Sequence, residues 1–178
     1  YDTGMTLHQP VSVVVDLPEL RLRQRATIGE HISQRDQMAD ASMLRTLRAQ
    51  AEAIWPQEVP LFARYSLPHE PHIADIGCGS GEITKRLLAL YPSARVVGVD
   101  ILEKMIECTR AATAVFGERA EAVAADAFHL PFRDGEFNLV VCRHLTQAIP
   151  HPDELVAELV RICAPGGWIH LVSEDYGM

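Results

Sequence analysis

Apolar and polar positions divide the chain near residue 72. Beyond it, short apolar runs alternate with stretches whose apolar residues recur every three or four positions. The apolar runs are Ile73–Ile76, Arg95–Asp100, Glu121–Ala124, Phe137–Cys142 and Trp168–Ser173. They are nearly continuous, as strands become when helices cover both faces of a sheet. The three- and four-residue spacing predicts helices over Glu82–Tyr91, Leu102–Phe116 and Asp153–Ala164. Regular alternation of strand and helix implies βαβ units and a parallel sheet. Asp134-Gly135 predicts the turn into the fourth strand, and Pro165-Gly166-Gly167 the end of the last helix.

The first 66 residues follow another pattern. Val11, Val13, Val14 and Val15, bracketed by Pro10 and Pro18, suit a short strand whose packing partner the pattern leaves open. Thr27-Ile28-Gly29-Glu30 reads as a capping box. Ile28, Ile32, Ala39, Met43, Leu47, Ala51 and Ile54 then predict one long amphipathic helix, stopped by Pro56. Gln57–Tyr65 suits a short helix, and Ser66–Pro71 a proline-rich linker. The expected organisation is an N-terminal extension over 1–66, serving as lid or interface, and an α/β domain over 67–178.

The most informative stretch is Ala74-Asp75-Ile76-Gly77-Cys78-Gly79-Ser80-Gly81-Glu82, a strand running through a glycine turn into a helix. Glycine takes positive φ readily and lets a ligand approach the backbone without meeting a Cβ. The helix start adds unpaired N–H groups and a positive dipole end, which suit a carboxylate or phosphate. A dinucleotide fingerprint would read G-x-G-x-x-G. Here the third glycine comes one position early and Glu82 stands where that pattern wants glycine. An acid after the second strand is nonetheless present in Asp100, placed to accept from ribose hydroxyls.

Composition narrows the function classes. In 178 residues the net charge is −8, which argues against nucleic acid as the main partner. No apolar run reaches the roughly 18 residues of a membrane span, and no secretory leader is visible, so a cytoplasmic location is expected. Cys78, Cys108, Cys142 and Cys163 form no CxxC pair and read as reduced, buried thiols. His69 and His72 form an HxxH among loop prolines without a third ligand, so no metal site is expected.

Three further stretches complete a resemblance. Ala125-Asp126-Ala127 follows the third strand. Leu130-Pro131-Phe132 and Phe137-Asn138-Leu139-Val140 lead into the fourth. Glu154-Leu155, Glu158-Leu159, Arg161 and Pro165-Gly166-Gly167 precede the fifth. With Asp-x-Gly-x-Gly-x-Gly and Asp100, this ordered set resembles the S-adenosylmethionine-dependent methyltransferases of the Rossmann-like class. It is closest in pattern to the small-molecule and quinone-biosynthesis group.

The resemblance implies a doubly wound, mostly parallel three-layer α/β/α sheet. It implies S-adenosylmethionine as cofactor and S-adenosylhomocysteine as product. The cofactor residues it implies are Asp75, Gly77, Gly79, Gly81, Asp100, Ile101, Asp126, Ala127 and Arg143. Asp75 would lie beside the ammonium and sulfonium end. Asp100 would take the ribose hydroxyls, Ile101 would pack on adenine, and Asp126 would hold the adenine amine, with Ala127 beside the ring. Arg143 would bind the cofactor carboxylate or an acidic acceptor. His144 is the candidate general base. Gln50 on the long helix is a candidate for reaching the cofactor.

The Asn-Pro-Pro-aromatic motif of nucleobase amino methyltransferases is absent where Cys142-Arg143-His144-Leu145 stands, which points to a small-molecule acceptor. The family sheet normally ends in an antiparallel hairpin. Here the C-terminal strands are expected to be missing, leaving an exposed sheet edge. A fragment, completion by another subunit and a degenerate member all fit that pattern. The alternative function is a non-catalytic cofactor-binding or partner subunit, pairing as a homo-oligomer through the N-terminal extension.

Overall fold

A computed structural model describes residues 12–15 and 41–173, with side chains from residue 44 onward. Six strands and four α-helices follow in chain order: β1 (Ser12–Val15), α1 (Ala41–Phe62), β2 (His72–Ile76), α2 (Glu82–Leu90), β3 (Arg95–Asp100), α3 (Glu103–Thr113), β4 (Ala120–Ala124), β5 (Phe137–Arg143), α4 (Pro152–Ile162) and β6 (Cys163–Val172). All strand pairs are parallel, in the order β1-β6-β5-β2-β3-β4. The chain leaves β2 outward to β3 and β4, then returns to place β5 on the other side of β2. That reversal opens a crevice at the carboxyl ends of β2 and β5, where ligands of open α/β sheets sit.

Side-chain alternation divides the core in two. Ala74, Ile76, Val97, Val99, Val140, Cys142 and Ile169 face α4, whose Leu155, Leu159 and Ile162 are completely buried. Ile73, Val96, Leu139 and Val141 face α1 and α2, meeting Ala51, Phe62, Ile83, Leu87 and Leu88. Each such aliphatic side chain contributes about 1.5–3 kcal/mol on full burial.

Four expectations change. The helix does not stop at Pro56, because α1 runs through Pro56 and Pro60 to Phe62. Both prolines are exposed, so the carbonyls they leave unbonded face water, while Ala51, Glu58 and Phe62 hold the inner face. The helix predicted over Leu102–Phe116 ends early: α3 stops at Thr113, and a 3-10 segment over Ala114–Arg119 turns at Gly117, φ +58°.

Pro165-Gly166-Gly167 does not separate α4 from its strand. β6 already pairs at Cys163 with Phe137, and Trp168 resumes opposite Leu139 after a register shift. The residues between form an extended bulge in which Gly166 takes φ +76°. Finally, the edge of the fifth expected strand is not open. Ser12–Val15 forms β1 and pairs with Trp168–Leu171 of β6. The valine arm thereby joins the sheet of its own domain. The capping box at Thr27–Glu30, the early turns of the long helix and Glu174–Met178 lie outside the described residues.

Candidate functional site

The glycine turn is strapped to the end of β3 by backbone bonds. The Gly77 and Cys78 N–H groups both donate to the Val99 carbonyl, at 2.8 and 2.9 Å. Gly79 N–H donates to Asp100 Oδ2 at 3.0 Å, and Thr109 Oγ1 donates to the Gly79 carbonyl at 2.9 Å. Gly77 and Gly79 take φ of +75° and +53°, which a side chain would strain. A Cβ on Gly79 would meet only Leu47 Cδ1, at 3.8 Å, so this wall is bare because the backbone itself forms it.

Gly81 departs from the expectation. It does not line the cavity. It caps the start of α2 at φ +78°, where a Cβ would stand 2.8 Å from Thr109 Cα. Its reason to be glycine is the α2–α3 contact.

A cavity of about 540 Å³ opens over the turn, within the range of small-molecule sites. Asp75, Gly77, Gly79, Asp100, Ile101, Asp126, Ala127, Arg143 and His144 all line it, as does Gln50 from α1. Asp100 is held by two backbone donors, Gly79 N–H on Oδ2 and Leu102 N–H on Oδ1, both at 3.0 Å. Burial still raises its pKa above the usual carboxylate range, against the pull of those bonds. Ile101, next in the chain, is half-exposed toward the same space. Asp126 opens the turn after β4 and accepts Phe128 N–H on Oδ1 at 3.0 Å.

Asp75 lies deepest, 2% exposed, with Thr84 Oγ1 donating to Oδ2 at 2.6 Å. Desolvation pushes its pKa to about 6, against the opposing Thr84 bond and the nearby Arg143 charge. The Cys78 and Cys142 thiols are pushed well up by burial, which leaves them protonated and unsuited to nucleophilic work. His144 follows β5 at φ +56°, the one non-glycine residue at positive φ among the described residues. Its N–H donates to the Val172 carbonyl at 2.8 Å, so the end of β6 holds this strained backbone at the cavity wall.

Arg143 is not free to serve as a lone cation. Its Nε and Nη2 both donate to Glu58 Oε1 on α1, at 3.0 and 2.8 Å, and the two side chains are 7% and 6% exposed. Sequence reasoning missed Glu58. The available signal was an acid within the stripe Ala51, Trp55, Glu58, Phe62, at positions that should face the core. It also missed the wall formed by Leu145, Ala148, Ile149 and Pro150 after β5.

Among the described residues no group of three His, Cys, Asp or Glu side chains could hold a metal ion. His72 of the HxxH instead packs its ring 4.4 Å from that of Phe137. No described helix is long and apolar enough to cross a membrane.

The methyltransferase domain family matches residues 74–171, more than half of the chain, from within β2 to within β6. The chain belongs to this family of S-adenosylmethionine-dependent methyltransferases. Among curated relatives, a malonyl-[acyl-carrier protein] O-methyltransferase of Geobacter sulfurreducens is 41% identical over 95 residues, covering 53% of this chain and 35% of the relative. A trans-aconitate 2-methyltransferase of Methylobacterium nodulans is 30% identical over 139 residues, covering 78% of this chain and 51% of the relative. The chain thus spans about half or less of the length of these relatives. A crystal structure of an S-adenosylmethionine-dependent methyltransferase from Methanosarcina mazei superposes with a TM-score of 0.56 at 30% identity, covering 63% of this chain and 56% of that one.

Proposed function

We propose that this methyltransferase domain binds S-adenosylmethionine in the cavity above the glycine turn and serves methyl transfer to a small-molecule acceptor. The observation that carries the reading is Asp100, whose carboxylate is held by two backbone N–H groups at the cavity wall beside the bare glycine turn. The lining residues fit the cofactor chemically. Four carboxyl groups, Asp75, Glu82, Asp100 and Asp126, face a ligand that carries a sulfonium and an ammonium.

In this reading the Asp100 carboxylate accepts from the ribose hydroxyls, and Ile101 covers one face of adenine. Asp126 accepts from the adenine amine, and Asp75 lies toward the cationic end, where an ionised carboxylate is favourable. When bound, the cofactor would supply a methyl group activated by its sulfonium, with the neutral sulfide as leaving group. The protein then has to align the acceptor and exclude water, which Leu145, Ala148, Ile149 and Pro150 do from the far wall. His144 at that wall is the group proposed to take a proton from the acceptor. A cytoplasmic setting with its four free cysteines reduced belongs to the same reading, as does release of S-adenosylhomocysteine.

The names of the relatives suggest carboxylic acids and their thioesters as first acceptors to try. Incubation with methyl-labelled S-adenosylmethionine and a panel of such acids, followed by extraction of labelled ester, tests transfer directly. Labelled product that disappears in Asp100→Ala supports the reading. Absence of label from every acceptor, in a chain shown to bind the cofactor, favours the binding-subunit alternative.

A further inference from the structure

The Glu58–Arg143 pair is built unlike the structural ion pair elsewhere in the molecule. Arg161 ties α4 to the chain before β5 by engaging both oxygens of Glu158, Asp134 Oδ1 and the carbonyls of Leu130 and Phe132. Glu58 uses one oxygen only. Its Oε1 accepts both Arg143 bonds, while Oε2 is buried without a hydrogen-bond partner among the described residues. A pair that serves stability would use the paired fork geometry and leave no buried oxygen unbonded. What this pair does achieve is electrical. Arg143 is the only lysine or arginine among the described residues lining the cavity, and Glu58, paired with it and outside the lining, offsets part of its charge. The lining is left with the carboxyl groups of Asp75, Glu82, Asp100 and Asp126.

We propose that Glu58 is a specificity-determining residue: by offsetting the charge of Arg143 it makes the cavity more negative, and so favours the sulfonium cofactor over its uncharged sulfide product. The proposal rests on the reading of this cavity as an S-adenosylmethionine site. Glu58 touches neither ligand. It acts through Arg143 on the field at the sulfur. S-adenosylmethionine and S-adenosylhomocysteine share adenosine and amino-acid parts and differ by one methyl and one positive charge. The ratio of their dissociation constants therefore reads that field, whereas a merely structural defect weakens both together.

The test is calorimetric titration of both ligands into the wild type, Glu58→Gln and Glu58→Gln/Arg143→Gln, with thermal unfolding as the check on folding. Glu58→Gln keeps the shape and removes the charge. It should shift the ratio about tenfold toward the product, and the double variant, again without net charge at the pair, should restore it. If Glu58→Gln does not fold, Arg143→Gln at pH 9 reads the same field with opposite sign. The carboxylate left behind is then uncompensated, and the ratio should move toward S-adenosylmethionine relative to wild type at that pH. An unchanged ratio in the folded variants overturns the role of Glu58 while leaving the site intact. Failure of the wild type to bind either ligand overturns the reading of the site itself.

Discussion

The two faces of the sheet are built from different materials. Toward α4 the buried cluster is wholly apolar, thirteen residues of Ala, Val, Leu, Ile, Phe and Cys. Toward α1, α2 and α3 lie all the buried polar side chains among the described residues: Glu58, Asp75, Thr84, Thr109, Thr113 and His170. Burying such groups is unfavourable unless they are bonded, and a fold needs none of them for its core. Some are bonded well, as Thr84 is to Asp75 and as the Tyr65 hydroxyl is to His170 Nδ1 at 2.8 Å. His170 is bonded on one side only: its Nε2 is buried without a hydrogen-bond partner among the described residues, and burial with the nearby Arg143 charge lowers its pKa to about 4, keeping it neutral. The apolar face holds the sheet together. On the polar face Asp75 lines the cavity, Thr84 bonds it, and Glu58 pairs with Arg143 of the cavity wall.

Substitutions should separate the faces. The largest expected effect is on the apolar one. Leu159→Ala, at a completely buried position of α4, should cost about 2–5 kcal/mol in denaturant unfolding. It should leave S-adenosylmethionine affinity of the folded protein unchanged. A comparable loss of affinity would mean that the faces are not separable.

On the polar face, Asp75→Asn should do the reverse. The folded pKa of Asp75 is about 6, against an ordinary value of 3.8. The apo fold is therefore stabilised by the protonated form below the lower value and loses that advantage as pH rises through the upper one. The difference corresponds to about 3 kcal/mol. Asparagine removes the penalty and can still accept from Thr84. The variant should thus be more stable than wild type at pH 8, equal to it near pH 3.5, and weaker in cofactor binding. Wild-type affinity for the cationic cofactor should itself rise as pH increases through about 6, with proton release on binding. Thermal unfolding and titration across pH 4–8 check both, and a pH-independent affinity would place Asp75 away from the ligand charge.

The smallest stability effect belongs to the turn. Gly79→Ala should cost about 1–2 kcal/mol for a left-handed alanine, since the methyl has room. It should nonetheless abolish cofactor binding by filling the bare wall. Binding that survives would mean that no ligand approaches Gly79.

Much of this was legible in the chain. The strands β2 to β5 and the helices α2 and α4 were readable because burial on two faces leaves continuous apolar runs, and amphipathic spacing marks the covering helices. The acids at 75, 100 and 126 could be singled out because each stands at or just beyond the end of an apolar run, and all three line the cavity. The missed features all depend on partners distant in sequence. Glu58 meets Arg143 85 positions later, and nothing local says that an acid in a helix will face inward to a guanidinium. The passage of α1 through two prolines depends on which side of the helix meets water. The pairing of Ser12–Val15 with β6 depends on an edge formed more than 150 residues later. Gly81 matched the cofactor pattern by spacing, yet close helix packing is what demands it.

The most direct test of the cofactor cavity is calorimetric titration of S-adenosylmethionine into the wild-type chain beside Asp100→Ala. The account predicts micromolar binding to the wild type and a loss of at least about tenfold in the variant, as expected for losing the charged acceptor of the ribose hydroxyls. Equal affinity in the two proteins, both folded, would contradict it.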